Sequence, residues 1–298
     1  MNLGQAAPYG RVEVTNMSVV FPTPLIDHAV VNVGDQMDEA VDIYGRLGFA
    51  LTPRGRHTLG SINHLAMFGT DYFELLGVPK GAAVAANVIA ESEGLAAVAF
   101  ATENADGVHA ALTEAGVGVM APLSFSRPVA LPDGARDAAF RVVRVTPEAT
   151  QAGRLFFCQH LTRGVVWRDE WRRHPNGALG VLGVVVAARH PDALGTLFAR
   201  MFGAAAVVKR PGGVRLLAGL ASIDVLTPGQ VARRYGDAAS LPHGRDAAMV
   251  ALVLRIAAVD RCAAVLRQGG IAGVEVTAER VLVPAAAAMG VALDLRAT

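Results

Sequence analysis

Glu74 stands in the run GTDYFELLG (69–77), between Phe73 and Leu75, in a segment that otherwise reads as a buried β-strand. A carboxylate there needs a partner, because burying a lone charge costs several kcal/mol at least. Other chemistry-bearing residues fall in three short stretches. RGRHTLGSINH (54–64) gathers Arg54, Arg56, His57, Asn63 and His64. Asn63 and His64 are neighbours on a strand and face opposite sides, so at most one lines a shared site directly. Arg54 or Arg56 offers a fork for a carboxylate or phosphate. In LFFCQH (155–160), strand alternation puts Phe156, Cys158 and His160 on one face, and a slip of one residue would turn Gln159 inward instead. His28 lies in LIDHAVVNV (25–33). From the residues alone, a buried histidine–glutamate pair that only fixes the fold competes with one that handles a ligand. The chain has no G-x-S-x-G elbow, no H-E-x-x-H pair and no dinucleotide fingerprint, which removes hydrolases, zincins and Rossmann-type dehydrogenases.

The elements that must position these groups repeat four times. LIDHAVVNV precedes a helical stripe of Met37, Ala40, Val41, Tyr44 and Leu47. LAAVAFAT precedes Val108, Ala111, Leu112 and Ala115. ALGVLGVVVAA precedes Leu194, Leu197, Phe198 and Met201, and MVALVLRIA precedes Cys262, Val265 and Leu266. Each helix ends near a glycine (Gly48, Gly116, Gly203, Gly269) and is followed by short strand-like pieces. After the first helix these are GSINHLAMF and DYFELLG, a hairpin turning at Gly69-Thr70; after the second, RDAAFRVVRV and GRLFFCQH. The unit is β-α-β-β-β. The interval from Gly116 to Gly203 is the longest, so the chain reads as two double units joined near TRGVVWRDEWRRHPNG. Trp167 and Trp171 share a helical face there and are expected to plug the junction.

The chain has 298 residues, 52% hydrophobic and 18% charged, enough for two ordinary domains with sizeable cores. A net charge of +1, with both signs mixed along the chain, argues against nucleic acid or an anionic membrane surface and for a small-molecule partner. Cys158 and Cys262 are too few for a disulfide framework, so a cytoplasmic setting is expected. The longest apolar run, 178–188, is about half a membrane span. The first residues lack signal-peptide character, and Met17 is an alternative start.

Four such units in two pairs, with IDHAVVNVGDQMDEAVDIYGRLGF and LTPRGRHTLGSINHLAMFGTDYFELLGVP, resemble the vicinal-oxygen-chelate superfamily, and the second run resembles its glyoxalase-like domain branch. Glyoxalase I, extradiol dioxygenases and fosfomycin and bleomycin resistance proteins belong to that superfamily. The resemblance implies an α+β fold of two domains, each a pair of βαβββ modules. The expected division is a partly disordered N-terminal extension (1–24), an N-terminal paired domain with the site (25–162), a linker (163–178) and a C-terminal paired domain (179–298).

The resemblance also implies one divalent metal ion, Zn, Fe, Mn or Ni, in a cup of strands. His28 and Glu74 match the family's ligand positions, and laying Cys158 under Glu74 makes His160 the third ligand. Glu74 would double as catalytic base. His57, Gly60 and Asn63 match a recurring H-x-x-G-x-x-N, which nominates His57, Asn63 and His64 for substrate binding. Ala97 stands where the second module should offer a ligand. Gly183 and Asp224 match His28 and Glu74 in the second half, which reads as a structural or lid half without metal. Two functions follow as expectations. One is a metal-dependent lyase, isomerase or dioxygenase acting on a small oxygen-rich molecule. The other is a metal-free binding or sequestration protein of the bleomycin-resistance type, with a cup walled by residues such as Phe125, Phe156 and Phe157. Pairing of two chains into a homodimer stays open.

Overall fold

The computed structural model describes residues 21–82, 93–132 and 134–298; most of the expected N-terminal extension, Met17 included, lies outside them. The first half runs β1 (Ile26–Asn32), α1 (Met37–Arg46), β2 (Gly55–Arg56), β3 (Ile62–Met67), β4 (Tyr72–Gly77), then β5 (Gly94–Ala101), α2 (Ala105–Glu114), β6 (Leu123–Leu131), β7 (Gly134–Arg144) and β8 (Arg154–His160). After a short α3 (Arg163–Val166) the second half repeats the plan: β9 (Ala178–Ala188), α4 (Pro191–Phe202), β10 (Val207–Arg210), β11 (Gly213–Ala218), β12 (Ala221–Leu226), α5 (Pro228–Tyr235), β13 (Ala247–Ile256), α6 (Val259–Gln268), β14 (Glu275–Val276), β15 (Arg280–Val283) and β16 (Ala292–Ala297). Each half is one eight-stranded sheet, ordered β2-β3-β4-β1-β5-β8-β7-β6 in the first and β10-β11-β12-β9-β13-β16-β15-β14 in the second. The α+β expectation of paired βαβββ modules therefore holds.

The first sheet curls until its edge strands meet, where Thr58 N donates to Ser126 O at 3.1 Å. Its two faces follow strand alternation. Ala29, Val31, Phe73, Leu75, Val98, Phe100, Leu155 and Phe157 face outward, into one core shared with Val184, Phe198 and Leu252 of the second half. Phe100 meets Phe202 of α4 edge-on at 4.8 Å. Phe157 belongs to this outer core, so it leaves the cup wall to Phe125 and Phe156. The concave face carries Val30, Tyr72 and Glu74 beside His28.

One strand is absent from the sequence expectation. β6 contains Pro128 and pairs with β7 along its length. It lies at the sheet edge, where a missing backbone donor leaves no ladder bond unmade.

The segment 163–178 is stitched to the first half. His174 Nδ1 accepts from Ala50 N at 3.0 Å and its Nε2 donates to Met67 O at 2.8 Å, while Asn176 Nδ2 donates to Leu47 O at 2.9 Å. Trp167 does not plug the junction between halves. It packs behind the cup, 4.7 Å from the His160 ring and 5.5 Å from Tyr72, because the helix ends before it and Trp171 sits in a separate turn. Among the described residues no helix is long and apolar enough to cross a membrane.

Asp71 joins the halves, accepting from Val181 N at 2.7 Å. Burial raises its carboxyl from 3.8 to about 6, against the lowering effect of that bond. The folded value lies above the unfolded one, so ionised Asp71 costs stability above about pH 6, and the cost fades toward pH 4. Asp71→Asn keeps the acceptor and should gain up to about 3 kcal/mol at pH 8 and nothing at pH 4. Thermal unfolding of both proteins across that range checks it; equal gains at both ends would contradict it.

Candidate functional site

The site begins with a break in register. Ile26 lies opposite Phe100 but His28 lies opposite Ala99, which makes Asp27 the extra residue of a β-bulge between β1 and β5. Alternation would send Asp27 and His28 to opposite faces; the bulge brings their side chains together. Asp27 Oδ2 accepts from His28 Nδ1 at 2.6 Å and from His160 Nε2 at 2.9 Å, with all three side chains buried. Burial pushes the Asp27 carboxyl up, but the hydrogen bonds and charges of His160 and His28 outweigh it and hold the group well below the usual carboxylate range. Among the described residues, these three form the group whose ligand-type atoms lie within 4.8 Å of one another.

With Nδ1 committed to Asp27, His28 turns Nε2 toward the cup. The ring is stacked on Tyr72 at 4.4 Å, and Nε2 lies 3.8 Å from Glu74 Oε2. Three side chains surround the Glu74 carboxylate. Asn63 Nδ2 donates to its Oε1 at 2.5 Å, His57 Nε2 stands 4.0 Å from the same oxygen, and His28 faces the other. His57 is oriented by Ser61 Oγ, 2.8 Å from Nδ1, and its Nε2 is 3.3 Å from Asn63 Nδ2. Burial pushes His57 below the usual imidazole value, against the pull of Glu74, so the ring stays neutral at neutral pH.

Above this polar pole is a cavity of about 120 Å³ with walls that include Leu65, Leu123, Phe125, Phe140, Val142 and Phe156. That is close to the volume of cavities known to take a single benzene ring. Arg127, only 3% exposed, lines it too. The sequence reading missed this residue because β6 is not among the strand-like pieces that follow the second helix there. The arginine itself, inside FSRPVAL with alternating apolar neighbours, was the available signal.

The structure thus gathers His28, Glu74, His57 and Asn63 around one cavity. His64 does not join them. It faces the other side of β3, where its Nδ1 is 2.7 Å from Thr52 O and Arg54 Nε donates to its Nε2 at 3.1 Å. His160 reaches Asp27 and not Glu74, so the expected trio of His28, Glu74 and His160 divides between the two sides of the His28 ring.

The pairing also shifts one alignment. Glu74 lies opposite Val30, two residues after His28, and the residue opposite Ala99, two after Ala97, is Phe156. Phe156, rather than Cys158, is the counterpart of Glu74. Alternation itself holds, because Phe156 and Cys158 both line the cavity while Gln159 turns outward to Ala105 N and Glu103 O.

In the second half, Asp224 lies opposite Val185, and Gly183 opposite Val253, which places Asp224 and Asp294 at the positions of Glu74 and Phe156. Both are consumed internally. Arg215 holds Asp224 with two bonds and Arg234 adds a third at 2.9 Å; Arg296 and the Tyr235 hydroxyl hold Asp294.

This architecture, paired βαβββ modules wrapped around a cup, is that of the vicinal-oxygen-chelate superfamily. Residues 26–202 match the profile of the Glyoxalase-like domain, and the chain belongs to that family. The match runs beyond the first half into β9 and α4. No curated protein matches. Among solved structures, a hypothetical protein from Staphylococcus aureus is similar with a TM-score of 0.64 at 12% identity, covering 92% of this chain and 99% of its own. The 2,3-dioxygenase LapB from Pseudomonas sp. KL28 gives 0.56 at 10% identity, with 93% of each chain covered. A mutant of 4-hydroxymandelate synthase from Streptomyces coelicolor gives 0.54 at 12% identity, over 92% of this chain and 93% of that one. At these identities the likeness is one of fold.

Proposed function

We propose that the N-terminal cup is the active site of a vicinal-oxygen-chelate enzyme that converts a small, largely apolar organic molecule, assisted by one divalent metal ion at the His28–Glu74 pole. The observation that carries this reading is the orientation of His28. Asp27 accepts from Nδ1, which leaves Nε2 as the ring nitrogen turned to the cup, 3.8 Å from Glu74 Oε2, at the floor of an apolar cavity.

The donor chemistry fits such an ion. Neutral imidazoles and a carboxylate suit Zn²⁺, Mn²⁺, Fe²⁺ or Ni²⁺, and a carboxylate behind a ligating imidazole is its common support. His28 and Glu74 would hold the ion, with His57 beside them. A bound ion would polarise a carbonyl or hydroxyl oxygen of the substrate. On leaving the ion, Glu74 would take a substrate proton at Oε2, while Asn63 donates to Oε1 and fixes the side chain. Ala97 and Phe156 offer no donor from the second module, and that observation favours the competing reading, a metal-free cup that only binds.

Elemental analysis separates the two, on protein purified without added metal or a metal-binding tag. The expected result is near-stoichiometric metal in the wild type and a drop of at least about tenfold in Glu74→Gln. No metal in either protein, even after reconstitution with several divalent ions, would leave the binding reading standing.

A further inference from the structure

The cup holds a charge that the metal pole does not use. Arg127 lies on β6 and lines the cavity, yet its Nε is sealed without a hydrogen-bond partner. Among the described residues the guanidinium makes no hydrogen bond or ion pair. Glu74 acts on it only through space and is already bonded to Asn63. A buried cation without a partner is strongly unfavourable, so a partner is expected from outside the described residues, and a molecule bound in the cavity that Arg127 lines can supply it.

The neighbourhood makes room for one. A Cβ at Gly55 would run into both Asn63 Oδ1 and the Arg127 side chain, so the glycine lets these two groups approach the same spot. Arg144 and Arg154 also line the cavity, but they are only half-buried and each is already engaged.

Resting on the reading of the cup as the substrate site, we propose that Arg127 receives the carboxylate of the substrate, and that the cup takes a small apolar acid whose ring or chain lies among Phe125, Phe140 and Phe156. A planar carboxylate matches the guanidinium fork with two parallel bonds. A phosphate dianion fits less well, because its second charge doubles the repulsion from Glu74, which shares the cavity. The stacked pair of Phe125 and Phe140, with centroids 5.3 Å apart, suits an aromatic ring.

The test is calorimetric titration with phenylacetate and phenylacetamide, two probes of one shape and different charge. The wild type should bind the acid at least about tenfold more tightly, and Arg127→Met should reduce the acid to the affinity of the amide. Arg127→Met should melt at the same or a higher temperature, since it removes an unpaired buried cation, whereas an arginine serving only the fold would lower it. Arg127→Lys, charged but without the fork, should keep part of the preference.

Equal affinity of the two probes for the wild type, or a preference intact in Arg127→Met, overturns the assignment while leaving the cup a binding site. Failure of both probes to bind the wild type overturns it as well. The metal is read separately in Glu74→Gln: unchanged metal content there, with the acid preference intact, would refute the metal pole and keep Arg127.

Discussion

Asp27→Ala is expected to lose about 3–5 kcal/mol of stability and to weaken divalent-metal binding about 10- to 100-fold. Both effects have one cause. Asp27 is 1% exposed, and its Oδ2 is the shared acceptor for His28 Nδ1 and His160 Nε2. Without it, two buried imidazoles lose their common partner, and His160 already has a buried Nδ1 with none. His28 would also lose the bond that selects its tautomer, leaving Nε2 free to carry the proton and turn from ligand to donor. Asp27→Asn should lower metal affinity with a smaller loss of stability, since the amide fills the space but accepts less well. Denaturant unfolding and metal titration of the same preparations check this. A loss under about 1 kcal/mol, or unchanged metal affinity, would mean that the bulge does not orient His28.

Asp294→Ala should be nearly as destabilising, by about 2–4 kcal/mol, and yet leave metal and acid binding in the first cup untouched. Asp294 is fully buried and takes a two-bond contact from Arg296 plus the Tyr235 hydroxyl, with Arg234 and Arg280 each 3.8 Å away. Removing it leaves three arginines crowded around an empty carboxylate position. They are 22–35% exposed, so water offsets part of the loss. Asp224 and Asp294 stand at the positions equivalent to Glu74 and Phe156 but are saturated by the chain's own cations, which is why the second half reads as structural. Altered metal binding in this variant would contradict that division.

The repeat, the strand–helix periodicity and the glycine stops were legible because they depend on local pattern, and each half forms one eight-stranded sheet as those patterns require. Glu74 stood out because a carboxylate inside an apolar strand demands a partner, whereas His28 was nominated by the family resemblance, through its place in the first strand. Asn63 was nominated by the same resemblance, through the H-x-x-G-x-x-N spacing from His57. What was not legible depended on non-local geometry. Asp27 reads as an ordinary neighbour of His28 until a bulge, visible only in the pairing with β5, turns both side chains to one place. His160 was expected at the metal from the resemblance, with Cys158 laid under Glu74, and from alternation. The strand pairing makes Phe156 the counterpart of Glu74 instead, and His160 Nε2 lies on Asp27. Arg127 was lost with β6, because a proline in a strand is tolerated only at an edge and edges are a property of the assembled sheet.

The most direct measurement is Mn²⁺ titration of the wild type, Glu74→Gln and His160→Ala. If His28 and Glu74 form the centre, the wild type binds one ion per chain, Glu74→Gln loses about 100-fold or more in affinity, and His160→Ala, which only supports Asp27, loses about 10-fold. Binding that survives Glu74→Gln but vanishes in His160→Ala would move the ion to the Asp27–His28–His160 cluster and contradict a metal centre in the cup.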